Sequence, residues 1–171
     1  MDYVIPMVRD WPGTIIAVNV GGAVIPSLLS LYLFFRYRLW FLFRYRLWFR
    51  APIAIAVVTG VCHWLARPVP GLGIALPVFV PPLTTAAVAL ILSRRKAPPI
   101  AYIGGSIGCL VGADLLNLNK VQGLGAPVAS IGGAGTFDGI FLTGVLAVLL
   151  ASIFSPDPAG QVMRGPMYPP S

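Results

Sequence analysis

The chain has 171 residues, of which 57% are apolar and only 10% are charged, and its formal net charge is +7. Soluble domains carry about 25% charged residues, so this composition excludes an ordinary water-soluble domain and predicts an integral membrane protein. Nucleic-acid binding is not expected, because the Lys and Arg residues cluster between apolar segments and form no extended basic face.

Residues 1–12 form a polar N-terminal lead that lacks the features of a cleaved secretory signal and is expected to be retained. The first predicted membrane span covers about residues 13–35, long enough to cross the hydrocarbon layer. Small and polar residues recur at helical spacing along one face of it, which predicts a helix-packing surface. These residues are Asn19, Ala23, Pro26 and Ser30.

Residues 35–50 contain a tandem copy, FRYRLWFL followed by FRYRLWFR, identical at seven of eight positions. Arginines interleaved with Tyr and Trp suit the headgroup layer, so we interpret this stretch as an interfacial or cytoplasmic loop. The second span, about residues 51–66, is short and is expected to borrow part of the copied segment. It carries His63, the only histidine of the chain.

The third span covers about residues 74–93, and its first half contains Pro77, Pro81 and Pro82. These prolines predict a broken or irregular beginning, which membrane proteins tolerate only where the backbone packs against protein or lines a wet cavity. The fourth span covers about residues 100–118. Its glycines, spaced four apart, form a stripe for close helix packing: Gly104, Gly108 and Gly112.

Two acidic residues flank the longest connection of the chain. Asp114 lies near the end of the fourth span, and Asp138 lies just inside the fifth span at about residues 136–154. Residues 119–135 between them are rich in glycine and could form a re-entrant loop. Residues 155–171 are rich in proline and are expected to be a disordered tail.

The predicted fold is therefore all-α: a single polytopic transmembrane domain at residues 13–154 with about five helices. Lys and Arg residues divide nine against three between the two sides of this topology. The positive-inside rule then favours an outside N-terminus and a cytoplasmic C-terminus. The expected location is the cytoplasmic membrane, the expected partner is the lipid bilayer, and no cofactor is predicted.

Polar side chains are predicted to gather in the outer layer of the membrane. Asn19, His63, Asp114 and Asp138 all fall within a few residues of the outer ends of their spans, at depths that agree within about 5 Å. Asn117 lies roughly on the same side of its helix as Asp114. An ionised acid below the headgroups costs about 2.5–3.5 kcal/mol, so the two aspartates are the leading candidates for a site.

Each candidate also has a structural interpretation. Asn19 could be an interhelical hydrogen-bonding residue, and His63 could reach interfacial water. Asp114 and Asp138 could bond backbone amides of the glycine-rich connection, or form an ion pair with Arg67 or Lys120. Cys62 and Cys109 are expected to be small packing residues and define no metal site.

Three classes of function remain open on these residues. Acids with His and Asn beside a proline-broken helix favour a small transporter or ion-coupling protein, which with five spans would be a homo-oligomer. Two aspartates could instead share a proton in an intramembrane aspartyl protease, although no Gly-x-Gly-Asp motif is present. A non-catalytic assembly component would use the same residues only for folding. A metal site on His63, Asp114 and Asp138 is a weaker alternative without a ligand-spacing signature.

Four motifs in order, NVGGAVIPSLLSLYL, RPVPGLGIALPVFVPPL, AYIGGSIGCLVGADLLNL and SIGGAGTFDGIFLTGVLAVLLA, cover most of residues 15–153. Together they resemble the bacterial and archaeal family described as domain of unknown function 1614. The resemblance implies a polytopic membrane protein of prokaryotes and supplies no activity. The tandem FRYRLWF copy departs from the family pattern and looks like an eight-residue insertion.

Overall fold

The computed structural model describes residues 7–11, 14–40, 47–69, 73–121, 128–133 and 139–155. These residues are mostly helical, as the sequence predicts. The helices are α1 (Ile25–Trp40), α2 (Leu47–Leu65), α3 (Val80–Leu92), α4 (Ala97–Cys109), the single turn α5 (Leu118–Val121) and α6 (Gly139–Ile153). Short strands join them, which the all-α prediction missed: β1 (Met7–Trp11), β2 (Thr14–Val18), β3 (Arg67–Val69), β4 (Gly73–Ala75) and β5 (Val128–Ile131).

The predicted glycine stripe of α4 packs against α2 and brings the two helix backbones together. A Cβ added to Gly104 would lie 2.9 Å from the Ala54 Cβ, and one added to Gly108 would lie 2.8 Å from the Val58 Cβ. One turn further on, Gly112 lies against Cys62 and the Thr59 backbone. The residue numbers of the contacting pairs increase together along the two helices, so α2 and α4 run parallel. We call this contact the helix seam.

The other helices surround α4. Gly105 faces the methyl groups of Thr85 on α3 and Thr143 on α6, at 3.2 and 3.5 Å from its ideal Cβ position. Gly144 of α6 lies against Ser106, the next residue on α4. The centre is filled mostly with alanine, which allows this close approach: Ala54, Ala89, Ala97, Ala101, Ala147 and Ala151 are fully buried together with Ile100.

The first predicted span begins as a strand and not as a helix. Residues 14–18 (TIIAV) form β2, which pairs antiparallel with β1 and parallel with β5. Four of these five residues are β-branched, which favours a strand where a pairing partner is available. A π-helical turn at Val20–Val24 then leads into α1. The predicted packing face is confirmed, because Ala23, Pro26 and Ser30 are buried.

The remaining spans agree better with the sequence. Helix α2 begins at Leu47, so it does extend into the copied segment. The first half of the third span is irregular, as predicted: β4 and a turn precede α3, whose first turn contains Pro81 and Pro82. Proline is tolerated there because the first amides of a helix have no intrahelical acceptor.

The fourth span is a continuous helical segment, Arg94–Lys120, of 27 residues. Among the described residues it is the one helix long and apolar enough to cross a membrane, and four shorter apolar helices accompany it. In its second half the segment changes from α-helix to a π-helical turn at Leu110–Asp114 and then a 3₁₀ turn at Leu115–Asn117. The structure does not describe residues 1–6 and 12 of the predicted lead (1–12), residues 41–46 of the copied segment, or residues 156–171 of the predicted tail (155–171).

The helix directions separate two ends of the bundle. Because α2 and α4 are parallel, Arg50 and the turn Arg94–Lys96 before α4 lie at one end, which we call the basic end. Arg36, in the later part of α1, lies toward the same end. The beginning of α1 and the turn after β5 lie at the opposite end, which we call the polar end.

Candidate functional site

The polar end is organised around the turn Ile131–Gly133 that follows β5. Gly132 and Gly133 have φ of 90° and 80°, values that side chains rarely adopt. An ideal Cβ on Gly132 would lie 2.7 Å from both the Cβ and the backbone nitrogen of Ala23. Glycine is therefore required at position 132 for two reasons, the backbone conformation and the space available.

Asn19 joins this turn to the beginning of the first helix. Its backbone N–H donates to the Ile131 carbonyl at 2.9 Å, which continues the pairing of β2 with β5. Its side-chain Nδ2 donates to the Gly133 carbonyl at 2.9 Å. The Oδ1 accepts from the amides of Gly21 and Gly22 at 2.9 and 3.3 Å, which caps the π-helical turn. The sequence suggested that Asn19 forms a hydrogen bond between helices. In the structure it instead caps the π-helical turn and bonds the loop at Gly133.

Asp114 binds the same turn from the opposite side. It is the last residue of the π-helical turn in the fourth span, and its Oδ2 accepts the Gly132 N–H at 2.6 Å. Such a short bond from an amide to a carboxylate is among the stronger hydrogen bonds in proteins. Within the described ranges, no Lys, Arg or His side chain forms an ion pair with Asp114, so neither Arg67 nor Lys120 supplies the partner that the sequence suggested.

Ser130 completes the bonding of the turn. Its Oγ donates to the Gly133 carbonyl at 2.7 Å, beside the Asn19 bond to the same oxygen. Residues 131–133 are therefore held by a side chain from each of three segments. The residues that sequence reasoning missed are Ser130 and Gly132; the run VASIGG, with β-branched residues followed by two glycines, is a strand-and-turn signal that could have located them.

Asn117 is fully buried one turn after Asp114. Its Nδ2 donates to the carbonyls of Gly112 and Ala113 at 2.8 and 3.0 Å, which the wide helical turn leaves accessible. Its Oδ1 has no hydrogen-bond partner among the described residues. The amide of Asn117 therefore bonds its own helix, and its predicted role beside Asp114 stays a prediction.

His63 lies on α2 and is half-buried. The register of the helix seam places it level with Ala113, next to Asp114 in height. Its Nδ1 is buried and has no hydrogen-bond partner in the described part of the chain, and neither a hydrogen bond nor an ion pair links it to Asp114 there. One turn earlier, Thr59 donates its hydroxyl to the Gly108 carbonyl at 3.3 Å.

Asp138 lies outside the described residues, so its separation from Asp114 stays a prediction. The structure brings Asn19 and Asp114 together on one turn and places His63 and Asn117 at a similar height. Within the described ranges no group of three or more His, Cys, Asp or Glu side chains could hold a metal.

Cys62 and Cys109 are buried in an apolar cluster between α2 and α4. They share this cluster with Val58, Ala113 and Ile140. This is the packing role that the sequence predicted for the two cysteines. The shared burial of these two cysteines agrees with the register of the helix seam that the glycine positions define.

The chain matches a family model described as "Protein of unknown function (DUF1614)" over residues 1–150. This match covers most of the chain, and the chain belongs to that family. The resemblance carried by the four sequence motifs is thereby confirmed. No curated protein and no solved structure matches this chain.

Proposed function

We propose that this protein is a polytopic membrane protein that binds a proton or a small cation at Asp114 in the course of transporting an ion or small solute. The observation that carries the proposal is the environment of that carboxylate. It lies on the longest apolar helix, and in the described part of the chain its one hydrogen bond comes from the Gly132 amide and no basic side chain neutralises it.

The membrane location rests on the apolar surface as well as on the long helix. Large apolar side chains are exposed along helices on several sides of the bundle, including Leu28 at 61%, Ile91 at 84% and Ile153 at 74%. Water-soluble monomers rarely expose apolar surface of this extent, whereas lipid covers it without cost. The proposed transmembrane domain is the single unit of residues 13–154.

The orientation follows from the two ends of the bundle. Arg50 and Arg94–Lys96 gather at the basic end, so that end is assigned to the cytoplasm. The polar end then faces outward, and Asp114 lies near the external boundary. An outside N-terminus and a cytoplasmic C-terminus follow, as the sequence predicts.

A cation or proton at Asp114 would compete with the Gly132 amide for the same carboxylate. Occupancy of the carboxylate is thereby coupled to the position of the turn Ile131–Gly133, which also contacts Ala23 and Asn19. π-helical turns occur frequently at functional sites, and here one contributes Asp114 while another follows Asn19. Asp138, five residues beyond the turn, is the proposed second carboxylate.

The test compares two substitutions at Asp114 in proteoliposomes loaded with pH-sensitive and sodium-sensitive dyes. Asp114→Asn keeps an oxygen that can accept the Gly132 N–H but removes the charge, so flux is expected to fall at least tenfold while the melting temperature stays near the wild-type value. Asp114→Ala is expected to lose both flux and stability. Equal flux in the wild type and Asp114→Asn would refute the proposed function.

A second candidate function is that of a non-catalytic membrane component, whose polar residues serve only folding and association, for example in a homo-oligomer. The observation that favours it is the use of all the polar atoms of Asn19 and one oxygen of Asp114 to hold the turn. In that case both Asp114 variants change stability only, and no flux above empty liposomes is measured. The intramembrane aspartyl protease gains no separate support, since its second aspartate, Asp138, is outside the described residues.

A further inference from the structure

The basic end carries a concentration of positive charge. Eight Lys and Arg residues lie in the two segments 36–50 and 94–96, and residues 11–113 contain neither Asp nor Glu. Within the described part of the chain, none of Arg36, Arg50, Arg94 and Arg95 forms an ion pair with an acidic side chain.

The described arginines of these two segments lie at one end of the bundle, and three of them are exposed: Arg36, Arg94 and Arg95. Arg94 and Arg95 are exposed in the short 3₁₀ turn between α3 and α4. Arg50 lies at the same end of the bundle because α2 runs parallel to α4. Arg36 is exposed, with its guanidinium 5.9 Å from the ring centre of Tyr32.

Apolar side chains border the charged residues. Phe35 is 45% exposed beside Arg36, Phe49 is 64% exposed beside Arg50, and Ile91 is 84% exposed just before Arg94. A row of guanidinium groups next to exposed aromatic and aliphatic side chains matches a phospholipid, whose phosphate lies directly above its acyl chains. A soluble phosphate or a nucleic acid would leave those apolar side chains in contact with water.

We infer that the basic end, formed by Arg36, Arg50, Arg94 and Arg95, is a binding surface for anionic phospholipid headgroups of the cytoplasmic leaflet. The guanidinium groups bind the phosphate oxygens, and Phe35, Phe49 and Ile91 contact the upper acyl chains. Each basic residue near an anionic leaflet contributes about 1 kcal/mol, which corresponds to about fivefold in affinity. The surface lies at the opposite end from Asp114 and does not depend on the proposed transport.

The test uses the full chain in a nonionic detergent, incubated with equal amounts of phosphatidylglycerol and phosphatidylcholine. Bound lipid is counted by native mass spectrometry across a lipid titration. The wild type is expected to retain phosphatidylglycerol preferentially. Arg94→Gln with Arg95→Gln should weaken that retention about 30-fold, while the melting temperature without lipid is unchanged because both side chains are exposed.

Arg67→Gln is the matched control, since Arg67 is an exposed arginine in β3, away from the basic end. It is expected to leave phosphatidylglycerol retention as in the wild type. Millimolar inorganic phosphate should not displace the lipid, because phosphate alone cannot fill the apolar border. Equal retention of the two lipids by the wild type, an equal loss in Arg67→Gln, or displacement by phosphate would each overturn the inference.

Discussion

The helix seam and the polar end are two parts of one bundle that are stabilised in different ways. In the seam, α2 and α4 approach so closely that only hydrogen atoms fit at Gly108 and Gly112, and few side-chain hydrogen bonds are present. At the polar end, a three-residue turn is held by hydrogen bonds from Asn19, Asp114 and Ser130. The seam is fixed by shape, whereas the polar end is fixed by bonds that a proton or cation can compete with. Only the second arrangement contains the carboxylate that the proposed proton or cation would occupy.

The largest effect is expected from adding a methyl group to the seam. The Cβ of Gly112→Ala would overlap the Thr59 carbonyl and lie 2.9 Å from the Thr59 Cα, and backbone atoms cannot rotate away. The free energy of unfolding should fall by about 3 kcal/mol, the upper part of the range for overpacking. Thermal unfolding in detergent measures this change.

Gly60→Ala is the matched control, because Gly60 lies on α2 with nothing within 4 Å of its ideal Cβ position. Alanine is a better helix former by about 1 kcal/mol, so this variant should be as stable as the wild type or slightly more stable. If Gly112→Ala and Gly60→Ala melt at the same temperature, the seam does not determine the packing.

A smaller loss is expected at the turn itself. Gly132→Ala must place a side chain at a φ of 90° and against Ala23, so the free energy of unfolding should fall by about 2 kcal/mol. Gly139→Ala serves as control, since nothing lies within 4 Å of its ideal Cβ position. Hydrogen exchange of the β2 and β5 amides should also increase in Gly132→Ala. A turn with unchanged exchange and stability would show that its conformation is not required.

The smallest effect of the three is expected at Asn19. Two substitutions there can separate the cap to Gly21 from the bond to Gly133. Asn19→Ala removes the cap and the bond to Gly133 and should cost about 1–2 kcal/mol. Asn19→Ser keeps a neutral oxygen that can cap the Gly21 amide but loses the Nδ2 donor, so it should lose roughly half as much. Equal melting temperatures for the two variants would contradict the separate contribution of the cap to Gly21.

Local patterns in the sequence were sufficient for much of the bundle. The four-residue spacing of Gly104, Gly108 and Gly112 predicted a close-packed face, because a helix places such residues on one side whatever its neighbours are. Pro81 and Pro82 predicted the late beginning of α3 for a similarly local reason. The apolar composition and the motifs identified the family that the match over residues 1–150 confirms.

The tertiary structure decided what those patterns pack against and how the polar residues are used. Residues 14–18 were predicted as helix, yet they form a strand because β5, more than 110 residues later, supplies a hydrogen-bonding partner. The same pairing brings Gly132 to Asp114 and Gly133 to Asn19. Helical spacing is a property of neighbouring residues, so the sequence determined it. The pairing of distant segments depends on loop closure and backbone hydrogen bonds, and only the folded chain determined that.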